Sequence, residues 1–244
     1  MTSRTLILIA AWNEEASIGA VILGVHKLYP HLPIVVVDDC SADSTATTAA
    51  KAGADVIQLP IHLGLGGALQ TGYKFAFEQG FDQVVRIDGD GQHDPADIAR
   101  MIATLEQTGC EVVIGSRYRG KSKSYTTFTR GLGIIFLRAL LKPILGRTIT
   151  DPTSGFTAVN RRALEVFART FPLAYPEIEV LVVLQRKRFR FEEIPVKIIP
   201  RREGRSSITA WKSVQYMLYV IIGVFVNVVR INPLAQKPEN GEKG

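Results

Sequence analysis

Asp88 and Asp90 stand one residue apart at the end of an apolar run, Val84-Val85-Arg86-Ile87-Asp88-Gly89-Asp90-Gly91-Gln92-His93. The run reads as a buried strand, and the glycines after it let the backbone turn sharply enough for Asp88, Asp90 and Gln92 to converge at its C-terminal mouth. Hard oxygen donors gathered there suit Mg²⁺ or Mn²⁺ and leave coordination positions for the phosphates of a nucleotide. Asp-Gly pairs also form ordinary turns, so a plain loop is the competing reading of this segment alone.

Such a cluster needs a scaffold, and the first half of the chain supplies one. Short apolar runs near residues 5–10, 34–38, 55–59, 83–88 and 112–116 alternate with helical stretches near 15–29, 44–52, 67–79 and 95–107. This alternation predicts an α/β fold, a mostly parallel sheet with helices on both faces, whose ligands bind outside the carboxyl ends of the strands. Polar clusters fall at those ends: Trp12-Asn13-Glu14-Glu15, Asp38-Asp39-Cys40-Ser41, His62-Leu63-Gly64-Leu65-Gly66-Gly67, and the Asp/Gln cluster. Neither Gly-x-Gly-x-x-Gly after the first strand nor a P-loop is present, so dinucleotide dehydrogenases and P-loop enzymes fit poorly. The Gly64/Gly66/Gly67 turn either offers helix N–H groups to an anion or lets the helix pack closely on the sheet.

Length and charge bound the rest. A chain of 244 residues buries a full core and reads as one domain with an appendage. Residues 1–114 hold 6 Lys/Arg against 14 Asp/Glu, a net −8, whereas residues 115–244 hold 23 against 9, a net +14. An acidic half suited to a cation is joined to a basic half suited to phosphates or an anionic membrane surface. The basic residues are scattered among apolar helices with no nucleic-acid motif, so no nucleic-acid partner is expected. Cys40 and Cys110 fit neither a metal spacing nor a disulfide framework. No signal peptide precedes Thr5, which places the expected catalytic body on the cytoplasmic face of a membrane, peripheral or monotopic.

The membrane expectation rests on two segments. Residues 121–150 run from a Ser/Thr-rich stretch into an apolar helix at 131–142, interleaved with Arg130, Arg138, Lys142 and Arg147 and broken by Pro143. That pattern suits amphipathic interface helices, with a buried core helix as the alternative. Residues 211–231 form an apolar membrane-associated helix whose core, 214–229, is flanked by Lys212 and Arg230. It is short of the roughly 20 residues of a comfortable span, so it reads as interfacial, with a subunit interface in a homo-oligomer as the alternative. The tail 232–244 reads as disordered, leaving 1–210 as the catalytic domain.

Three motifs now occur in order at three strand ends. Ala11-Trp12-Asn13-Glu14-Glu15, Val37-Asp38-Asp39-Cys40-Ser41-Ala42-Asp43-Ser44-Thr45 and Asp88-Gly89-Asp90-Gly91-Gln92-His93 resemble the motifs of a family 2 glycosyltransferase of GT-A, Rossmann-like fold. Gly115-Ser116-Arg117-Tyr118, Arg130, Asp151-Pro152-Thr153-Ser154-Gly155-Phe156 and Arg201-Arg202-Glu203-Gly204-Arg205-Ser206-Ser207 extend the resemblance to the dolichol-phosphate mannosyltransferase-like branch, over about residues 4–210. The resemblance implies that Ala10, Trp12, Glu14 and Asp39, with Asp88 close by, hold the base and ribose. It puts the metal on Asp88, Asp90 and Gln92, and phosphates near Arg117, Arg130 and Arg202, with the match at Arg201/Arg202 ambiguous by one residue. Ala10 and Trp12 stand where Pro and Tyr are usual, Cys40 replaces a Gly, and His62 stands where Asn is common.

The implied reaction is transfer of a hexose from a nucleotide sugar, GDP-mannose or a UDP-hexose, to a polyprenyl phosphate. A divalent cation neutralises the diphosphate leaving group. An ionised phosphate acceptor needs no strong base, only countercharge from Arg117, Arg130, Arg201, Arg202 and Arg205. Asp151 either orients the acceptor or an Arg, or caps the turn before Thr153. Glu177 and Glu179 open a helix, where the dipole alone favours carboxylates. A soluble or glycan acceptor is the first rival and would require Asp151 or Glu179 as base. A sugar nucleotidyltransferase is the second, but it usually carries a Gly-rich, Lys/Arg-containing loop after the first strand, which Trp12-Asn13-Glu14-Glu15 is not.

Overall fold

Residues 6–9 and 34–37 are apolar at every position, a pattern that suits strands covered on both faces. The computed structural model describes residues 3–120 and 128–199. It runs through β1 (Thr5–Ala11), α1 (Glu15–Leu28), β2 (Ile34–Asp38), α2 (Thr45–Lys51), β3 (Asp55–Gln58), α3 (Gly64–Glu78) and β4 (Gln83–Asp88). A single tight turn at Pro95–Asp97 leads into α4 (Ile98–Thr108), followed by β5 (Val112–Ser116) and α5 (Phe128–Leu145). The described chain ends with β6 (Thr157–Asn160), α6 (Arg161–Arg169), α7 (Pro176–Arg186) and β7 (Phe191–Pro195).

The seven strands form one sheet in the order β3-β2-β1-β4-β6-β5-β7. All neighbours are parallel except β6, which is antiparallel to β4 and to β5. From β1 the chain builds outward to β2 and β3, then returns to the other side of β1 as β4. That reversal leaves a crevice at the carboxyl ends of β1 and β4, the switch point where open α/β sheets bind ligands. Ala10 and Asp88 are register partners across it.

Alternation along the strands divides the core in two. Ile7, Ile9, Val36, Val85 and Ile87 pack with Ile18, Ile22 and Val25 of α1 and Ile98, Met101 and Leu105 of α4. Leu6, Leu8, Val35 and Val84 face the opposite layer of α3, α5, α6 and α7, including Tyr73, Leu141, Phe167 and Leu181. Arg86 shares the parity of Val84 and Asp88, so it too points into that second layer.

The structure corrects two sequence expectations at helix ends. Pro143 does not break α5, which continues to Leu145; Leu137, Leu141 and Leu145 form a buried stripe that holds the last turn against the core. Ile135 and Phe136 remain exposed on the other side of that helix. α3 starts at Gly64 rather than near 67. Among the described residues no helix is long and apolar enough to cross a membrane. The expected segments 211–231 and 232–244 lie outside the described residues.

Close packing accounts for Gly66. A Cβ there would lie 2.4 Å from Leu173 Cα and from the Pro172 carbonyl oxygen, so α3 seats the connection between α6 and α7 directly on its backbone. Gly66→Ala is therefore expected to destabilise the fold by about 1–3 kcal/mol, the usual range for overpacking against atoms that cannot move aside. A lower melting temperature in a thermal scan checks this; an unchanged one would mean the α6–α7 connection yields freely.

Candidate active site

The loop after β1 and the loop after β2 are sewn together by the polar residues of their motifs. Asn13 N–H donates to Ser41 Oγ (2.9 Å) and Ala42 N–H to Asn13 Oδ1 (2.9 Å). Glu14 N–H donates to Thr45 Oγ1 (2.8 Å) and Ser44 N–H to Glu15 Oε2 (2.7 Å). Much of the two motifs thus builds the rim of the crevice. Asn13 and Cys40 both adopt left-handed backbone, at φ 54° and 60°.

On that rim Asp39 is buried, with Oδ1 accepting from Leu63 N–H (2.7 Å) and Oδ2 lying 2.9 Å from His62 Nδ1. The Trp12 and His62 rings pack against each other with centroids 4.5 Å apart. Trp12 is half exposed, and Ala10 is the next-to-last residue of β1. The Glu14 carboxylate accepts from Ser17 Oγ (2.9 Å). The expected base and ribose residues therefore lie together at the carboxyl ends of β1 and β2, Ala10 within β1 and Trp12, Glu14 and Asp39 on the two adjoining loops.

Asp88 lies at the end of β4, restrained from three sides. Arg86, two residues earlier on the same strand face, donates from Nη2 to Oδ1 (3.2 Å), and His93 Nε2 lies 3.0 Å from Oδ2. The same Arg86 nitrogen donates to Glu177 Oε1 of α7 (2.8 Å). A Cβ on Gly155 would fall 2.2 Å from Asp88 Oδ2, so only glycine admits this approach of the 151–155 turn. Desolvation opposes ionisation of Asp88, but the Arg86 charge, followed by the His93 contact, outweighs it and holds the carboxyl well below the usual carboxylate range. Arg86, itself desolvated, is driven above its ordinary value by Asp88 and Glu177.

Asp90 accepts from Gln92 N–H at Oδ1 (3.0 Å) and is part-exposed on the loop. Among the described residues no group of three His, Cys, Asp or Glu side chains is gathered around a metal position. Two carboxylates and an amide oxygen do fit an ion of the Mg²⁺ or Mn²⁺ type, which keeps several waters and shares substrate phosphates rather than filling a protein cage.

Across the crevice Arg117 and Asp151 form a two-armed pair, Nε to Oδ2 and Nη2 to Oδ1, both at 2.7 Å. Arg117 Nη2 also donates to the Thr153 carbonyl (2.9 Å) and Oγ1 (2.7 Å). Burial alone would lower the Arg117 pKa; its hydrogen bonds to Asp151 raise it instead. Of the alternatives the sequence left for Asp151, orienting the acceptor or an Arg or capping a turn, the geometry has it orient an arginine, Arg117. Its backbone N–H donates to buried Glu193 (3.0 Å), which also takes Thr150 N–H and Oγ1, fixing the segment from below. Arg130 lies on α5, and Arg201, Arg202 and Arg205 lie outside the described residues. Ile199 N–H donates to the Gln92 carbonyl (2.9 Å), so the chain leaves the described region beside the Asp90 loop.

Sequence reasoning missed Arg86, His93 and Glu177 as one cluster. A signal was present: a charged residue in an apolar strand, two before Asp88, must share its face. Glu177 carried no comparable signal, because its position above β4 depends on packing between distant elements.

Comparison with known proteins agrees with this geometry. The family model described as Glycosyl transferase family 2 matches residues 6–167. The UDP-N-acetylglucosamine–dolichyl-phosphate N-acetylglucosaminyltransferase of Methanococcus voltae is 30% identical over 216 residues, covering 79% of this chain and 84% of that protein. The polyprenol monophosphomannose synthase of Mycolicibacterium smegmatis is 32% identical over 171 residues, covering 67% and 64%. The crystal structure of glucosyl-3-phosphoglycerate synthase from Mycobacterium tuberculosis, in complex with Mn²⁺, UDP and glucosyl-3-phosphoglycerate, superposes with a TM-score of 0.70 at 25% identity, covering 92% and 80%. This chain belongs to glycosyl transferase family 2, in its dolichol-phosphate mannosyltransferase-like branch, and is a glycosyltransferase of GT-A-like fold.

Proposed function

We propose that this enzyme is an inverting transferase that moves a hexose from a GDP- or UDP-sugar to a polyprenyl phosphate at a membrane surface. The observation that carries this reading is the pairing of the carboxylates around the crevice. Asp151 is held by Arg117, Asp88 by Arg86 and His93, Glu177 by Arg86, and Asp39 faces His62. A hydroxyl acceptor needs a base, and a carboxylate clamped by a guanidinium is a poor one. A phosphate monoester arrives already ionised and needs countercharge instead. Asp151 and Thr153 hold the Nε/Nη2 edge of Arg117 and so fix its orientation, leaving Nη1 to meet the acceptor phosphate, and Arg130, Arg201, Arg202 and Arg205 are proposed to add to it.

On the donor side, Ala10, Trp12, Glu14 and Asp39 would hold the base and ribose. Mg²⁺ or Mn²⁺ held by Asp88, Asp90 and Gln92 would neutralise charge on the departing diphosphate. The relatives named for dolichyl-phosphate and polyprenol substrates support the lipid acceptor. A lipid acceptor requires a membrane surface, for which residues 214–229, flanked by Lys212 and Arg230, are the proposed anchor on the cytoplasmic face. A soluble phosphorylated acceptor is the second reading, favoured by the likeness to glucosyl-3-phosphoglycerate synthase.

Full-length protein in detergent with Mn²⁺ is expected to transfer sugar from GDP-mannose, UDP-glucose or UDP-N-acetylglucosamine to a polyprenyl phosphate and to leave 3-phosphoglycerate unmodified. The opposite selectivity establishes the soluble-acceptor reading. Asp90→Asn should lower turnover by about 10²–10³-fold, the scale of losing one preorganised electrostatic contact, with little change in melting temperature. Wild-type turnover in that variant removes Asp90 from the metal site. Arg117→Lys keeps the charge but loses the fork, so the acceptor KM should rise by about tenfold or more, the value of a charge-assisted hydrogen bond, while the donor KM stays put. Equal increases for both substrates would place Arg117 on the diphosphate.

A further inference from the structure

We propose that Arg86 is a positioning residue for the transfer, locking the Asp88 carboxylate through a buried Asp88–Arg86–Glu177 relay that ties helix α7 to the metal loop. The inference rests on the reading of Asp88 and Asp90 as donor-site carboxylates.

Arg86 sits in the middle of β4, with Leu8 of β1 and Thr157 of β6 as register partners and only 3% of its surface exposed. Its Nε finds no hydrogen-bond partner among the described residues. A buried guanidinium with an unpaired nitrogen is a poor device for stability, and an apolar side chain of similar volume serves a sheet interior as well or better. What the charge does achieve is local. One nitrogen, Nη2, holds both Asp88 Oδ1 and Glu177 Oε1, while His93 holds Asp88 Oδ2.

Both Asp88 oxygens are thus fixed from the protein side, and the Gly155 backbone closes on the same carboxylate. Arg86 and Glu177 also line a small cavity of about 20 Å³ whose other walls are mostly apolar, Tyr73, Phe167, Phe171 and Leu181 among them. The restraint on Asp88 therefore combines the charge contacts of Arg86 and His93 with the close approach of the 151–155 turn.

The test compares the full-length protein with two variants. Arg86→Met combined with Glu177→Leu removes cation and anion together and fills their space; Arg86→Lys keeps the charge without the planar fork. Binding of Mn²⁺ with UDP and of Mn²⁺ with GDP is measured by calorimetry, with turnover and melting temperature on the same samples. The double variant is expected to melt within a few degrees of wild type yet lose about 10–100-fold in nucleotide affinity or turnover, the usual effect of removing a partner that orients a metal-site ligand. Arg86→Lys should fall between the two. A double variant with wild-type binding and turnover overturns the inference alone and makes the pair structural. A wild type that binds neither nucleotide with Mn²⁺ overturns the donor-site reading and the inference with it. Should the double variant fail to fold, Arg86→Lys decides: reduced binding or turnover at an unchanged melting temperature supports the relay, and wild-type values overturn it.

Discussion

The charge of Arg86 is the interaction on which the geometry of the crevice depends. Asp88 and Glu177 meet on one of its nitrogens. Without that cation the Asp88 and Glu177 carboxylates would repel each other across the space it fills. Because the cation is there, the strand carrying Asp88 and the helix carrying Glu177 are fixed to one another at the point where the sheet reverses direction. The rest of that layer follows from the same constraint. The connection leading to α7 lies on the backbone of α3 at Gly66, and α3 packs over β1 through Leu69 and Tyr73.

Two further pairs apply the same principle at the other edges of the crevice. Arg117 and Asp151 join β5 to the turn that ends at Gly155, and that turn reaches back to Asp88. Asp39 and His62 join the end of β2 to the start of α3. In the described site Asp39, Asp88, Asp151 and Glu177 thus each face a cationic partner or a histidine, whereas Asp90 accepts from a backbone N–H and Glu14 from the Ser17 hydroxyl. Such pairing limits proton-transfer chemistry and favours handling of charges that arrive with the substrates, which suits diphosphate and phosphate groups better than a neutral hydroxyl.

Much of this was legible in the sequence, for definable reasons. The strands of the first half centre on short runs of Val, Ile and Leu bounded by turn residues, so their positions were read to within a residue at most ends. The motif residues at strand ends were legible because a parallel sheet places every such end on one side. β6, antiparallel between β4 and β5, was not: Thr157-Ala158-Val159-Asn160 is too short to show a pattern of its own. Asp151 was legible as a polar residue of interest but not as the partner of Arg117, since 34 residues separate them and only the sheet order joins them. Glu177 stayed ambiguous for the same reason, compounded by a helix N-terminus that would favour a carboxylate with no partner at all.

The departures from the family pattern become intelligible together rather than singly. Trp12 stands where Tyr is usual and His62 where Asn is common, and the two rings lie in contact. A larger ring on one loop is thus met by a ring on the next, while the imidazole also reaches Asp39, a bond a shorter Asn would have to make from a different position. Cys40 adds a strain of about 1–2 kcal/mol by holding a left-handed conformation that glycine would adopt freely. The residues just before it are held in the sheet, with Asp39 N–H bound to the Ala11 carbonyl and Leu59 N–H to that of Asp38. In the proposed donor pocket the residue kept in place by that strained turn is Asp39. The departures at positions 12 and 62 are therefore coupled through their ring contact, and the one at 62 acts directly on Asp39.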